Sequence, residues 1–252
     1  MKHYDIQVPG AKASGKLTVT SPFDGSPVAT VDTIDAGGAD IALQNAADTF
    51  ADHSCWLDAA QRIAILEKTA ALMAERFEHL VAVAVAEGGK PLADTRVEVT
   101  RAIDGVKNCI ECLRSEHGTE IPMRLNPASM GRTAYTRLQP IGPVMAVSAF
   151  NHPLNLIVHQ VGPAVASGCP VIVKPAEDTP ASCFEFVAIL REAGLPEEWC
   201  QPVTVNDLAV AEQLVTDPRI AFFGFIGSAL VGWHLKSKLA PGVRCALEHG
   251  GI

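Results

Sequence analysis

The sequence predicts an α/β protein: a doubly wound, Rossmann-like parallel sheet of about five strands, preceded by an N-terminal extension of short strands and long helices. Three observations predict it. From residue 141 onward, apolar runs of strand length alternate in a steady rhythm with segments of helix length. The runs are nearly continuous in apolar residues, as strands covered on both faces are. Polar and glycine residues collect just after each run, which places them along one edge of the sheet. Right-handed crossovers between successive strands complete the doubly wound topology.

The elements follow in order. Leu17-Thr-Val-Thr and Val28-Ala-Thr-Val alternate like short antiparallel strands, and the turn-forming Ser21-Pro-Phe-Asp-Gly-Ser-Pro separates them. From Ala39 the period becomes helical. Ile63, Leu66, Ala70, Met73 and Phe77 step by three and four, which predicts one long helix with a single apolar face. Gly88-Gly89-Lys90-Pro91 interrupts the chain, and Val99, Ile103, Val106, Ile110 and Leu113 repeat the stepping on another helix. Residues 119–138 turn polar, and the alternation over 133–138 predicts an exposed strand of a projecting hairpin. Beyond it, strands are expected over 143–149, 169–174, 202–205, 220–225 and 243–248, with helices over 153–167, 180–193, 207–215 and 228–239 between them. The expected organisation is therefore an N-terminal part over 1–118, a hairpin over 119–140 and a Rossmann-like core over 141–252.

Composition narrows the class. The 252 residues are 48% apolar and 19% charged, which excludes a disordered or collagen-like chain. Twenty basic residues against 28 acidic ones give a net charge of −8, and no basic run marks a nucleic-acid surface. The longest strongly apolar run, 80–86, is far below the ~20 residues of a membrane span, and the N-terminus has no signal-peptide pattern. A cytoplasmic protein is expected. The seven cysteines fit that compartment as reduced thiols, and Cys109 and Cys112 read as two small residues on one helix rather than half of a metal site.

Ligands of open α/β sheets bind beyond the carboxyl ends of the strands, so the residues there carry the chemistry. Asn151 reads either as turn chemistry before Pro153 or as an amide donor to a developing oxyanion. Lys174 reads either as a cation snorkelling at a strand end or, with Glu177 three residues later, as one half of a clamp on ribose hydroxyls. Gly227-Ser228 is either a simple N-cap or a phosphate seat at a helix start. Glu248, between Ala246-Leu247 and Gly250-Gly251, is a surface carboxylate or a general base. No G-x-G-x-x-G occurs, so the ordinary dinucleotide fingerprint is absent.

The joint pattern resembles the N-terminal, coenzyme-binding half of the aldehyde dehydrogenase superfamily. The motifs that carry it are Phe150-Asn-His-Pro-Leu, Lys174-Pro-Ala-Glu, Ala193-Gly-Leu-Pro, Phe225-Ile-Gly-Ser and Leu247-Glu-His-Gly-Gly. Ser21-Pro-Phe-Asp-Gly and Glu87-Gly-Gly-Lys-Pro-Leu extend it across almost the whole chain. The resemblance implies an NAD-dependent oxidation of an aldehyde to a carboxylic acid through a cysteine thioester. Asn151 would be the oxyanion donor and Glu248 the base that activates the hydrolytic water. Phe150 would line the cofactor cleft, Lys174 and Glu177 would hold the adenosine ribose with NAD favoured over NADP, and Gly227 and Ser228 would touch the pyrophosphate. The hairpin would be an oligomerisation element, implying a homo-oligomer. The Phe-Asn-x-Pro-Leu-Asn variant resembles relatives acting on small hydroxy- or semialdehydes.

Four positions depart from the family's pattern. Phe150 stands where Trp is common, Ile226 where Thr is usual, and His249 where an apolar residue is usual. Val205-Asn-Asp-Leu lacks the Gly-rich turn of many relatives. The family's nucleophilic cysteine lies downstream of the Leu-Glu-x-Gly-Gly motif, and this chain ends at Ile252. Cys245 and Cys169 read as sheet-packing residues, so the chain is expected to lack the nucleophile and to be inactive alone. A non-catalytic dinucleotide-binding or oligomerisation module is the alternative.

Overall fold

A computed structural model describes residues 1–250. Gly251 of the Leu-Glu-His-Gly-Gly motif lies outside them. Ten strands and eight helices follow one another in the described chain. The N-terminal part holds β1 (Lys2–Tyr4), β2 (Gly15–Thr20), β3 (Pro27–Thr33), α1 (Ala36–Ala51), α2 (Ala59–Glu75), α3 (Phe77–Gly88) and α4 (Leu92–Ser115). The hairpin is β4 (Glu120–Ile121) and β5 (Ala134–Tyr135). The rest alternates as β6 (Val144–Val147), α5 (Asn155–Ser167), β7 (Val171–Lys174), α6 (Ala181–Ala193), β8 (Cys200–Pro202), α7 (Leu208–Thr216), β9 (Phe222–Gly227), α8 (Ala229–Lys236) and β10 (Arg244–His249).

The last five strands form one sheet in the order β10-β9-β6-β7-β8, and every pair is parallel. The chain therefore runs outward from β6 through β7 to β8, then returns to the other side of β6 as β9 and β10. That reversal makes the sheet doubly wound, with its switch point between β6 and β9. Side-chain alternation divides two cores. Val144, Ala146, Val171 and Val173 pack under α5, α6, α2 and α4, whereas Met145, Ile172, Phe223 and Phe225 pack under α1 and α7. A smaller sheet, β1-β3-β2, closes over Phe184 of α6. No described helix is long and apolar enough to cross a membrane.

Four expectations need correction. The long helix expected through Phe77 ends at Glu75, and Arg76 (φ −97°, ψ 21°) turns the chain into α3. The break lets both segments meet one core, α2 through Leu66 and Met73 and α3 through Leu80 and Val81. The strand expected over 202–205 is β8 at Cys200–Pro202. Beyond it Val203 and Val205 stay buried, but Ile34 bridges to Val205 and its N–H donates to the Thr204 carbonyl at 3.0 Å. The regular ladder ends at Pro202, but the Val203 N–H still donates to the Val173 carbonyl at 2.9 Å, so the apolar pattern follows burial beyond the named strand. The strand expected over 133–138 pairs at Ala134 and Tyr135, with one further backbone bond from the Thr136 N–H to the Thr119 carbonyl at 2.9 Å, and the rest is exposed. β10, counted among the nearly continuous apolar strands covered on both faces, instead alternates exposed and half-buried residues because it is the sheet's edge. A strand that was not expected, β1, pairs parallel with β3.

Candidate active site

The carboxyl ends of β6, β7 and β9 bring the polar edge together. β7 is a fully buried strand that ends on Lys174, itself only 8% exposed. Its Nζ lies 3.2 Å from Glu177 Oε1, so the lysine and the carboxylate expected to act together are in contact. Lys174 alternates with Val173 and therefore shares the α1 and α7 side of the sheet with Ile172. α8 lies on the same side, where Leu235 joins that core. At its start, Ser228 is the N-cap and its Oγ accepts from the Val231 N–H at 3.4 Å. The simple cap is thus present, and it leaves the other first-turn N–H groups without a side-chain acceptor. Gly227 has a packing reason of its own. A Cβ there would meet Phe225 Cζ at 2.7 Å, and one on Gly232 would meet Phe225 Cε1 at 2.9 Å. Two glycines let α8 settle directly on the Phe225 ring.

Phe150 and Asn151 lie in the loop after β6, and both are exposed. Glu248 is also exposed, and its register on β10 puts it beside Ala246 on the α5 side of the sheet. There it lines a cavity of about 440 Å³ with His159, Gln160, Gly224 and Ile226. A second cavity of about 410 Å³, lined by Asn108, Cys109 and Cys112, also reaches Glu248. The ribose and phosphate candidates thus occupy one side of the sheet and Glu248 the other, with the Asn151 loop at the edge. Gln160 donates Nε2 to the Val147 carbonyl at 3.0 Å, while its Oε1 is buried without a hydrogen-bond partner among the described residues. His249 is packed edge-on against Trp233, at 5.4 Å between ring centroids.

Sequence reasoning missed two buried carboxylates. Glu87 accepts from the N–H groups of Ala181 (2.6 Å) and Ser182 (2.9 Å) and from the Ser182 hydroxyl (2.5 Å), fastening α3 to the start of α6. Burial pushes its carboxyl up to about 7 against those hydrogen bonds. Glu98, 1% exposed in α4, accepts through Oε1 from the N–H groups of Leu154 (3.0 Å) and Asn155 (3.2 Å). Its Oε2 accepts from Lys90 Nζ at 2.8 Å, and the same ammonium lies 2.6 Å from His152 Nδ1. The Glu87-Gly-Gly-Lys90-Pro punctuation was the available signal. A carboxylate and an ammonium flanking a glycine pair imply more than a turn. Among the described residues one cluster has metal-ligand spacing, His3, Asp5 and Asp32 in the small sheet, with His3 Nε2 at 3.3 Å from both carboxylates. It belongs to neither side of the candidate site.

A doubly wound parallel sheet with its polar edge at the switch point defines the class to which dinucleotide-binding proteins belong. The chain is a member of the aldehyde dehydrogenase family, whose model matches residues 10–252. It is 31% identical over 244 residues to the 3-sulfolactaldehyde dehydrogenase of Priestia aryabhattai, covering 94% of this chain and 50% of that one. Among solved structures, aldehyde dehydrogenase 21 from Physcomitrella patens, in complex with the reaction product succinate, superposes with a TM-score of 0.92. That match has 32% identity and covers 99% of this chain and 52% of that one. The NADP-dependent glyceraldehyde-3-phosphate dehydrogenase of Bacillus halodurans, complexed with NADP, matches with a TM-score of 0.88, 26% identity and coverage of 94% and 50%. The chain spans about half the length of the relatives it matches.

Proposed function

We propose that this chain is the coenzyme-binding half of an NAD-dependent aldehyde dehydrogenase. The observation that carries the reading is the Lys174–Glu177 contact at the end of a buried strand. A lysine at such a depth is costly to keep unless its charge has partners, and a carboxylate after the second strand is how NAD sheets read ribose hydroxyls. A 2′-phosphate would meet the like charge of Glu177, so NAD is favoured over the NADP bound by the Bacillus relative. The residues present fit the coenzyme. Lys174 and Glu177 hold the adenosine ribose, Gly227 and Ser228 offer the α8 N-terminus to the pyrophosphate, and Phe150 lines the cleft.

When bound, the dinucleotide supplies a hydride acceptor. The chain's own residues then prepare the aldehyde carbon and the water. The Asn151 amide donates to the oxygen on which negative charge develops, and the Glu248 carboxylate takes a proton from the hydrolytic water. The nucleophilic thiolate belongs to the other half of the parent protein, and this chain turns over nothing alone. The aldehyde is of the small hydroxy- or semialdehyde type. The Phe150-Asn-His-Pro-Leu-Asn segment supports that reading, as do the names of the sulfolactaldehyde and succinate-bound relatives. The hairpin is proposed to pack against a second copy, making a homo-oligomer. Titration of the chain with NADH, followed by nucleotide fluorescence, tests the reading. Saturable binding competed by NAD is expected, and the absence of binding overturns it. A non-catalytic binding module would give the same titration, but the parent gene would then encode no catalytic half downstream.

A further inference from the structure

We propose that Lys90, Glu98 and His152 form a clamp that positions the Asn151 loop, with Lys90 and Glu98 as positioning residues and His152 as its proton-sensitive jaw. The proposal rests on the reading of Asn151 as the oxyanion donor. The loop between β6 and α5 must place one exposed amide precisely enough to meet a developing charge, yet it has no regular structure of its own. It is tied on both sides of Asn151. Before it, the Phe150 carbonyl accepts from Thr179 Oγ1 at 3.4 Å. After it, His152 Nδ1 faces Lys90 Nζ at 2.6 Å. An ammonium has only donors, so Nδ1 must offer its lone pair and the imidazole is neutral, with its proton on Nε2.

Glu98 locks the other end. The N-cap of α5 is Leu154, which has no side-chain acceptor, and the Glu98 carboxylate reaches across from α4 to take the Leu154 and Asn155 N–H groups. Its second oxygen holds Lys90, so one buried carboxylate fixes both the helix start and the cation that grips His152. A serine or aspartate at the cap would satisfy α5 at less desolvation cost than a buried ion pair. What the pair adds is the reach to His152. The charged groups facing that imidazole are Lys90 and Glu98, followed by Arg101 and Asp94. Burial first and Lys90 second hold His152 below the ordinary histidine range. The clamp is therefore closed at neutral pH. Acidification puts a second cation beside Lys90 and opens it.

Nuclear magnetic resonance of the full 252-residue chain tests this without substrate. In Lys90→Met, the His152 titration is expected to move up toward the ordinary histidine value and the Asn151 backbone amide to gain fast motion. The Leu154 and Asn155 amides should stay protected, because Glu98 still caps them. A merely structural lysine would change global stability without singling out the Asn151 amide. If Lys90→Met does not fold, the unmodified chain serves. Lowering the pH through the His152 titration should mobilise Asn151 in step with it. An Asn151 amide that stays equally ordered in the folded variant, or throughout the His152 titration, overturns the clamp. Neither readout involves an aldehyde, so a failure of the oxyanion reading leaves these results unchanged and is seen separately, as turnover by the parent enzyme undiminished in Asn151→Ala.

Discussion

Cys245 and Glu248 stand three residues apart on β10 and face opposite sides of the sheet. Cys245 shares its side with Leu247 and His249 in the core beneath α8, whereas Glu248 shares the open side with Arg244 and Ala246. Cys169 lines the Glu248 cavity, but it is 1% exposed and its Sγ accepts from the Ser167 hydroxyl at 3.5 Å. Cys109 reaches the second cavity with its thiol pushed up to about 11 by burial, far from the thiolate that attack requires. The isolated chain is accordingly expected to form no NADH from NAD and a panel of small aldehydes. Turnover that survives purification and disappears in Cys245→Ser or Cys169→Ser contradicts this.

Glu87 ties stability to pH. Its carboxyl titrates at about 7 in the folded chain against an ordinary 4.5. Between those values the folded chain keeps a proton that the unfolded chain has released. The stabilisation is complete below about pH 4.5 and is lost as the pH rises through about 7, a change of roughly 3 kcal/mol. Glu87→Gln is expected to be less stable than the parent at acid pH, because one N–H donor loses its acceptor, but to lack this slope and so to close the gap as the pH rises. Urea denaturation of both proteins at several pH values from 5 to 8 checks it. Two parallel stability curves would show that Glu87 does not titrate in this range.

Gly227 should tolerate no side chain. Its Cβ would sit 2.7 Å from the Phe225 ring, which is wedged beneath α8, so Gly227→Ala is expected to cost about 1–3 kcal/mol through overpacking. Gly250 has open space around its Cβ position, and Gly250→Ala should stay within about 0.5 kcal/mol of the parent. Equal denaturation midpoints for the two variants would mean that α8 moves freely off the ring.

The projecting hairpin presents Tyr135 at 74% exposure on a two-stranded ribbon with unpaired edges and Leu125 at 80% on the connection between its strands. A second copy covering this surface is expected to give a mass above the 26.7 kDa of one chain in sedimentation equilibrium. Leu125→Glu combined with Tyr135→Glu should shift the distribution to the monomer. A single 26.7 kDa species at every concentration would refute self-association through this hairpin.

The sheet was legible because period and burial coincide in it. Val171-Ile-Val and Val144-Met-Ala-Val are apolar on both faces, and only a strand covered twice asks for that. The pattern misled where burial outlasts the regular ladder. Val203 and Val205 are as buried as any strand residue, yet they lie beyond β8. Helical stepping from Ile63 to Phe77 likewise carries no mark of the turn at Arg76, because both helices present apolar residues to the same core. In the site, Lys174 and Glu177 were readable because three residues separate them. Glu98 was not, since the N–H groups it caps lie 56 and 57 residues further on and only the fold brings them together.

The proposed NAD site depends on Glu177. Titration calorimetry of the chain with NAD and with NADP, repeated on Glu177→Ala, decides it. The expected result is saturable NAD binding, weaker NADP binding, and in the variant a loss of NAD affinity together with a narrowing of the preference. Affinities for the two dinucleotides that are equal, or unchanged by the substitution, would contradict it.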